Sequence, residues 1–300
     1  MQELDVKINE SLEILIENEL LIGYELRSML KIFKEEKKVV GYSFGKLCYW
    51  HYESFTDFLN EDIYKVAAAV ELLILSFDII DDLQDKDSDY SWTKTPELSL
   101  NVAIAMLVMA SRAIRETSFE HKSAAVQILE DYALRSINGQ QLDLLNSCSD
   151  EQLYLQMIEQ KSGSLTAMGC LIGEVLAKGE SSSEVEEYGK YIGIIQQIKN
   201  DIQSLKTWGS KNDLLNKRYS LPIIYLLSQK NDVSKSVISY YNEDIVTFLD
   251  NNATENELTN GGAIRYAITI KNVYKFKALS ILENLAINEV CKDYLIKLMK

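Results

Sequence analysis

Residues 66–77, VAAAVELLILSF, carry only Glu71 and Ser76 as polar interruptions, and they run straight into DIIDDLQDKDSD at residues 78–89. A helix apolar on nearly every side does not face water. Whatever this chain folds into must therefore bury residues 66–77 and bring out acids at their end. Six of the next twelve residues are carboxylates: Asp78, Asp81, Asp82, Asp85, Asp87 and Asp89. On a helix, residues three or four apart share a face. Asp81 and Asp85 then stand one turn apart, and Asp78, Asp82, Asp85 and Asp89 form an overlapping row. Acids at a helix C-terminus also oppose its dipole, so the cluster calls for compensating cations. Hard divalent ions take carboxylate oxygens, and Mg2+ is commonly shared between a few carboxylates and a phosphate. The segment points to a metal-bound diphosphate. A solvated acidic helix end is the plainer reading and stays open on this segment alone.

The rest of the chain is as helical as this stretch. Two prolines and 13 glycines in 300 residues leave room for long uninterrupted helices. Apolar residues recur at three- and four-residue spacing over 5–35, 60–86, 98–115, 120–146, 151–178, 183–207, 218–229, 234–250 and 262–298. Loops are signalled at 87–97, 179–184, 208–217 and 251–261. No linker divides the sequence, so one all-α domain over residues 1–300 is expected. The net charge of −14 argues against nucleic acid as a partner. Cys48, Cys148, Cys170 and Cys291 have no ligand spacing. They read as reduced thiols of a cytoplasmic protein, with a peripheral place at the membrane as an alternative. No signal peptide is evident, and no apolar stretch reads as a membrane span.

A second polar cluster lies in GIIQQIKNDIQSLKT. Asn200, Asp201 and Ser204 offer oxygens suited to a hard cation, although a polar helix face is the alternative. Two oxygen-bearing helices, facing each other across a cavity, would hold a diphosphate through bridging metals. Lys161 sits among small residues in EQKSGSL, and Lys217 lies in NDLLNKRYSLP. Each alone reads as a surface lysine. Together with metals they would clamp a leaving diphosphate as its charge develops.

In this order the motifs resemble those of the trans-isoprenyl diphosphate synthase family, across nearly the whole chain. DDLQD, with Asp81, Asp82 and Asp85, is similar to the family's first aspartate-rich motif, DDxxD. GQQLDL, with Gln140, resembles its GQxxDL, and KSGSL, with Lys161, its KTxxL. QIKNDIQS, with Gln197, Asn200, Asp201 and Ser204, is similar to its second motif, QxxDDxxD. NDLLNKRYSLP resembles the segment whose lysine, here Lys217, touches diphosphate. The resemblance implies an isoprenoid-synthase-type bundle of long helices around a central cavity, Mg2+ as cofactor, an allylic prenyl diphosphate as substrate, and a homodimer.

The departures fall on the side of the second, anionic acceptor. The family's GGKR is matched by FGKLC, which keeps Gly45 and Lys46 but has Leu47 at the arginine position. The paired arginines after the first motif are absent from DYSWTKTPEL. The second motif reads NDIQS. This pattern is similar to a divergent branch, the ComQ-type prenyltransferases of bacterial competence quorum sensing. These attach a geranyl or farnesyl group to a tryptophan of the ComX pheromone precursor. The expected activity is therefore Mg2+-dependent prenyl transfer to a tryptophan-containing precursor peptide. A short-chain isoprenyl diphosphate synthase, or a non-catalytic regulatory subunit of one, is the alternative. Phe77 lies one turn before Asp81. It reads either as a stop on donor length or as a residue packed on a neighbouring helix.

Overall fold

The computed structural model describes residues 2–85, 89–206, 212–229, 231–242 and 251–300. In chain order the helices are α1 (Gln2–Asn18), α2 (Tyr24–Val40), α3 (Ser43–Phe55), α4 (Asp62–Asp85), α5 (Pro96–Arg115), α6 (Lys122–Leu144), α7 (Glu151–Ile158), α8 (Ser164–Lys178), α9 (Ser183–Ser204), α10 (Leu221–Ser228), α11 (Asp232–Asn242), α12 (Asn251–Asn260), α13 (Ala263–Asn284) and α14 (Glu289–Leu298). A short 3-10 turn covers Ser91–Lys94, and a π-helical turn covers Glu159–Gly163. No strand occurs among the described residues, so the fold is all-α. Asp87, the loop residues 208–211 and the expected helical residues 243–250 lie outside the described residues.

Several boundaries differ from the periodicity, each for a local reason. Residues 5–35 form two helices. Gly23 is extended ahead of α2, and the Arg27 guanidinium donates to the carbonyls of Ile16, Glu17, Glu19 and Ile22. It thereby satisfies the otherwise orphaned C-terminal carbonyls of α1. Residues 262–298 divide where the Asn288 side chain accepts from the Cys291 amide at 2.8 Å and caps α14. Residues 251–260 are helical rather than a loop. Thr254 and Leu258, one turn apart, are both buried, and α12 packs on α10 and α11. The helix α3 lies in a stretch with no expected element.

The described residues divide into two compact units. The first comprises Met1–Leu134, Leu165–Glu187 and Asn284–Leu295. Its centre is α4, buried on all sides from Val66 to Ser76 and packed by α5, α3 and α1. Small residues set how close the helices come. A Cβ on Gly45 of α3 would lie 2.8 Å from the Ala67 carbonyl of α4. The helix α5 is long and apolar enough to span a membrane, which the sequence reading did not anticipate. Its α4-facing side is buried at Val102, Met106, Met109 and Ala113, whereas Leu100, Ile104 and Val108 are exposed. The second unit comprises Arg135–Ser164, Tyr188–Glu283 and Ile296–Lys300. One of its apolar clusters joins Tyr154, Ile158, Ile194, Ile198, Leu221 and Ala267.

One carboxylate lies within the α4 core. The Glu71 Oε1 accepts from the Gly45 amide at 2.6 Å, in the first turn of α3, whose own cap residue Tyr42 makes no side-chain capping bond. Burial pushes the Glu71 carboxyl up from 4.5 to about 7, against the pull of Lys37 and the Gly45 amide. The folded state thus holds this proton more tightly than the unfolded chain. Below about pH 4.5 both states are protonated and Glu71 contributes nothing. As pH rises toward 7 only the unfolded state ionises, so stability falls, by up to about 3 kcal/mol. Glu71→Gln keeps an acceptor for Gly45 and removes the titration. Its thermal midpoint relative to wild type should therefore rise steadily between about pH 5 and pH 8. A difference that does not change with pH would rule this assignment out.

Candidate active site

In the first unit the last two turns of α4 carry Asp78, Asp81, Asp82 and Asp85, all partly buried, with Phe77 partly buried one turn before Asp81. Two of these carboxylates have cross-helix partners that the sequence did not announce. The Lys37 ammonium of α2 pairs with Asp78 at 2.7 Å. Burial works against the Lys37 charge, but Asp78 and Glu71 outweigh it and hold it above its ordinary value. The Trp92 indole N–H donates to Asp82 Oδ2 at 2.8 Å. Lys46, on α3, is 2.8 Å from the Asp5 carboxylate of α1.

In the second unit the polar residues form one network. Lys161 sits in the π-helical turn, which two glycines clasp. A Cβ on Gly139 of α6 would meet the Lys161 amide nitrogen at 2.3 Å, and one on Gly193 of α9 would meet the Ser162 carbonyl at 2.4 Å. The turn is further tied by Ser136 Oγ donating to the Lys161 carbonyl at 2.8 Å and by Ser162 Oγ donating to Gln197 Oε1 at 2.8 Å. From this turn the Lys161 ammonium reaches Asp143 at 2.6 Å. Gln140 is partly buried beside Gly139 on α6.

On α9 the Asp201 carboxylate is buried. It accepts from the Tyr154 hydroxyl, from Gln197 Nε2 at 3.1 Å and from the Leu221 amide at 3.4 Å. Burial and then the neighbouring Asp213 push its pKa up to about 7, against those three donors. Ser204 Oγ donates to Asp213 Oδ2 at 2.6 Å, so the loop supplies a carboxylate where NDIQS has lost one. Asn200 is exposed. Lys217 takes a left-handed backbone with φ +53°, and its ammonium lies over the Tyr240 ring at 4.9 Å. Arg218, the next residue, stands 3.7 Å from Asp143, beside Lys161. Sequence reasoning named Lys217 and passed over Arg218, Asp213 and Trp92. The only signal for Arg218 was its adjacency to Lys217.

A sequence profile of the polyprenyl synthetase family matches residues 40–247, a stretch that contains both acidic motifs. A tryptophan prenyltransferase ComQ of Bacillus subtilis subsp. natto is 34% identical over 270 residues, covering 89% of this chain and 84% of that protein. The protein of the same name from Bacillus spizizenii is 32% identical, covering 91% of this chain and 98% of its own length. The chain belongs to the polyprenyl synthetase family. It is a prenyltransferase. Among solved structures, the geranylgeranyl pyrophosphate synthase of Lactobacillus brevis superposes with a TM-score of 0.79 at 18% identity, over 99% of this chain and 95% of that one. That of Corynebacterium glutamicum, complexed with calcium and isoprenyl diphosphate, gives 0.78 at 20% identity over 100% and 96%. The fold is therefore the all-α isoprenoid-synthase fold.

The donor set suits a divalent ion of the family. Asp81, Asp82 and Asp85 offer hard oxygens within one turn of helix. Among the described residues no three acidic, histidine or cysteine side chains close into a cage. Mg2+ does not require one, because it keeps waters and takes one or two carboxylates together with substrate phosphate.

The glycine clasp gives a direct test. Gly139→Ala should push the Lys161 turn away from α6 and lower stability by about 1–3 kcal/mol, the usual cost of overpacking. Thermal unfolding measures it, and an unchanged midpoint would show that the turn yields freely.

Proposed function

We propose that this polyprenyl synthetase family member transfers a short prenyl group, geranyl or farnesyl, from its diphosphate to a tryptophan of a precursor peptide, as the enzyme of a peptide-pheromone quorum-sensing system. The observation that carries the choice of acceptor is the loss of cations where the resemblance expects them: Leu47 stands at one such position, and DYSWTKTPEL holds no arginine pair. A second diphosphate needs cations of its own. Here one of the two cation positions is Leu47, and the other is already paired with a carboxylate 2.8 Å away. Lys37 is likewise paired with Asp78. Charge-assisted contacts to phosphate contribute about 1.5–3 kcal/mol each, so their loss weakens an anionic acceptor by orders of magnitude. A neutral indole needs none of them. The relatives named tryptophan prenyltransferases support the same acceptor.

The metal-binding roles fall to Asp81, Asp82 and Asp85 in the first unit and to Asn200, Asp201 and Ser204 in the second. Bound Mg2+ supplies charge neutralisation on the departing diphosphate. Lys161, held by the glycine clasp, adds a fixed cation for phosphate oxygens, and Arg218 stands on the same carboxylate to share that role with Lys217. Gln140 and Gln197 complete the polar lining. As the carbon–oxygen bond breaks, the electron-rich indole attacks the allylic carbon and then loses a proton. A homodimer is supported by the family resemblance and by α5, whose Leu100, Ile104 and Val108 stand exposed at four-residue spacing; sedimentation decides it. Four buried free thiols support a cytoplasmic location.

The test is incubation with radiolabelled geranyl or farnesyl diphosphate, Mg2+ and either isopentenyl diphosphate or a tryptophan-containing peptide. Label should pass to the peptide and not to longer prenyl diphosphates. Efficient elongation at micromolar isopentenyl diphosphate would make this a short-chain synthase, and no transfer at all would favour a non-catalytic subunit. Asp81→Ala and Asp85→Ala should abolish turnover while leaving the thermal midpoint unchanged or raised in the absence of Mg2+.

Donor length is set, on this reading, by Phe77, four residues and about 6 Å of helix rise below Asp81. Phe77→Ala should raise the ratio of kcat/KM for farnesyl over geranyl diphosphate, at some cost in stability from the cavity left. An unchanged ratio in a folded, active variant places the floor of the pocket elsewhere.

A further inference from the structure

The helix α13 runs against the charge of the chain that contains it. The whole sequence has 45 acidic and 31 basic side chains, yet α13 holds Arg265, Lys271, Lys275 and Lys277 and a single acid, Glu283, beside its last residue. Ala263, Ala267, Ala278 and Leu282 are its buried side. The far side carries apolar groups where a solvated helix would be polar: Phe276 is 73% exposed, Val273 44% and Ile268 39%. At 3.6 residues per turn, Lys275 and Lys277 stand about 100° either side of Phe276. The open ring is thus bordered by a lysine on each flank.

No carboxylate among the described residues pairs with these four cations. Lys277 lies over the Tyr191 and Tyr274 rings at 5.6 and 5.1 Å. Burial, then the charges of Lys199 and Lys275, hold the Lys271 ammonium below its ordinary value. Glu159 and Glu151 of α7 act on Tyr274 but are engaged elsewhere, Glu151 with the Tyr266 hydroxyl and Glu159 with Lys190 at 3.6 Å.

We propose that the outer face of α13 docks on an anionic lipid bilayer, with Phe276 and Val273 entering the boundary between headgroups and acyl chains and Lys271, Lys275 and Lys277 meeting lipid phosphates. A helix lies in that boundary when an apolar strip is bordered by lysines, whose stems follow the apolar surface while their ammonium groups reach the headgroups. A bilayer supplies both chemistries at once, acyl chains for the ring and phosphates for its flanks. The −14 of the chain does not forbid the contact, because at physiological salt a charge is felt over only about 8 Å. Docking holds the enzyme where the apolar tail of a prenyl donor partitions, and it is independent of whether the acceptor is a peptide or a second diphosphate.

The experiment is co-sedimentation of the full chain with vesicles of phosphatidylcholine, alone or with roughly one-third phosphatidylglycerol, an anionic lipid. Wild type is compared with Phe276→Ala, Lys275→Glu and Lys235→Glu. Lys235 is an exposed cation of α11, so its reversal changes net charge equally without touching α13. Wild type should bind the phosphatidylglycerol vesicles and leave pure phosphatidylcholine largely unbound. Phe276→Ala and Lys275→Glu should each weaken binding about tenfold, since one lysine near the surface contributes about fivefold and its reversal adds repulsion. Lys235→Glu should stay within twofold. Both α13 side chains point outward or sideways, so thermal midpoints should hold, which separates lost docking from lost fold. A wild type that binds neither vesicle or both equally overturns the docking face, and so does undiminished binding by Phe276→Ala and Lys275→Glu. Release by free glycerol phosphate overturns it in favour of a soluble anion. A Phe276→Ala variant that sediments as a smaller species than wild type overturns it in favour of a contact between two copies.

Discussion

A carboxylate buried in the middle of α4 has few ways to remain satisfied, and the geometry around Glu71 follows from them. The α4 helix is apolar on all sides, so neighbours must cover it completely. Complete cover takes Glu71 out of water, where an unpaired carboxylate is costly. The solution is a donor from the nearest helix start. Gly45 lets α3 approach within contact of the Ala67 carbonyl and presents its amide to Glu71. An anion at a helix N-terminus is favourable on two counts, the free amides and the dipole. Lys37 of α2 adds an opposite charge and pairs directly with Asp78. The same burial that makes α4 a core helix therefore fixes the start of α3 and the end of α2 near the acids.

The second unit solves a different problem, that of holding a flexible lysine in one place. A lysine has a long, mobile side chain, and fixing it costs conformational entropy. Here the backbone carries much of the constraint. The π-helical turn of Glu159–Gly163 is an inserted residue in a helix, and such turns are unfavourable unless their surroundings impose them. Gly139 and Gly193 let two helices come so close that any side chain would collide with the turn. Asp143, four residues beyond Gly139 on α6, then receives the ammonium. The string GQQLDL thus acts as a unit: its glycine admits the turn and its aspartate aims the lysine.

Much of this was legible in the sequence, and the exceptions share a cause. Helices announced by periodicity were found, and the acids of α4 and the polar residues of α9 stand on the helices expected. What escaped was whatever depends on through-space partners or on backbone handedness. Trp92 was passed over because nothing in DYSWTK shows that its N–H meets Asp82. Asp213 lies nine residues from Ser204, outside any helical spacing, yet its carboxylate accepts from the Ser204 hydroxyl. Asn251–Asn260 is rich in turn-forming residues, and its helicity comes from burying Thr254 and Leu258, a tertiary effect that local propensity does not register.

Lys217 and Arg218 show the same limit at the scale of one bond. Consecutive residues in extended chain point to opposite sides, and a left-handed residue redirects the chain once more. Non-glycine residues enter that region rarely, so no reading of NDLLNKRY would place Lys217 there. With φ at +53°, Lys217 turns to the Tyr240 ring, and Arg218 is left facing Asp143. The consequence is electrostatic. In the first unit Lys37 and Lys46 each have a carboxylate of their own. In the second, Lys161 and Arg218 both stand on the carboxylate of Asp143, and Arg218 also acts on the buried Asp213. A chain of net charge −14 can therefore still bring two cations together where a phosphate would meet them, because an anion responds to the charges within a few ångströms far more than to the screened total.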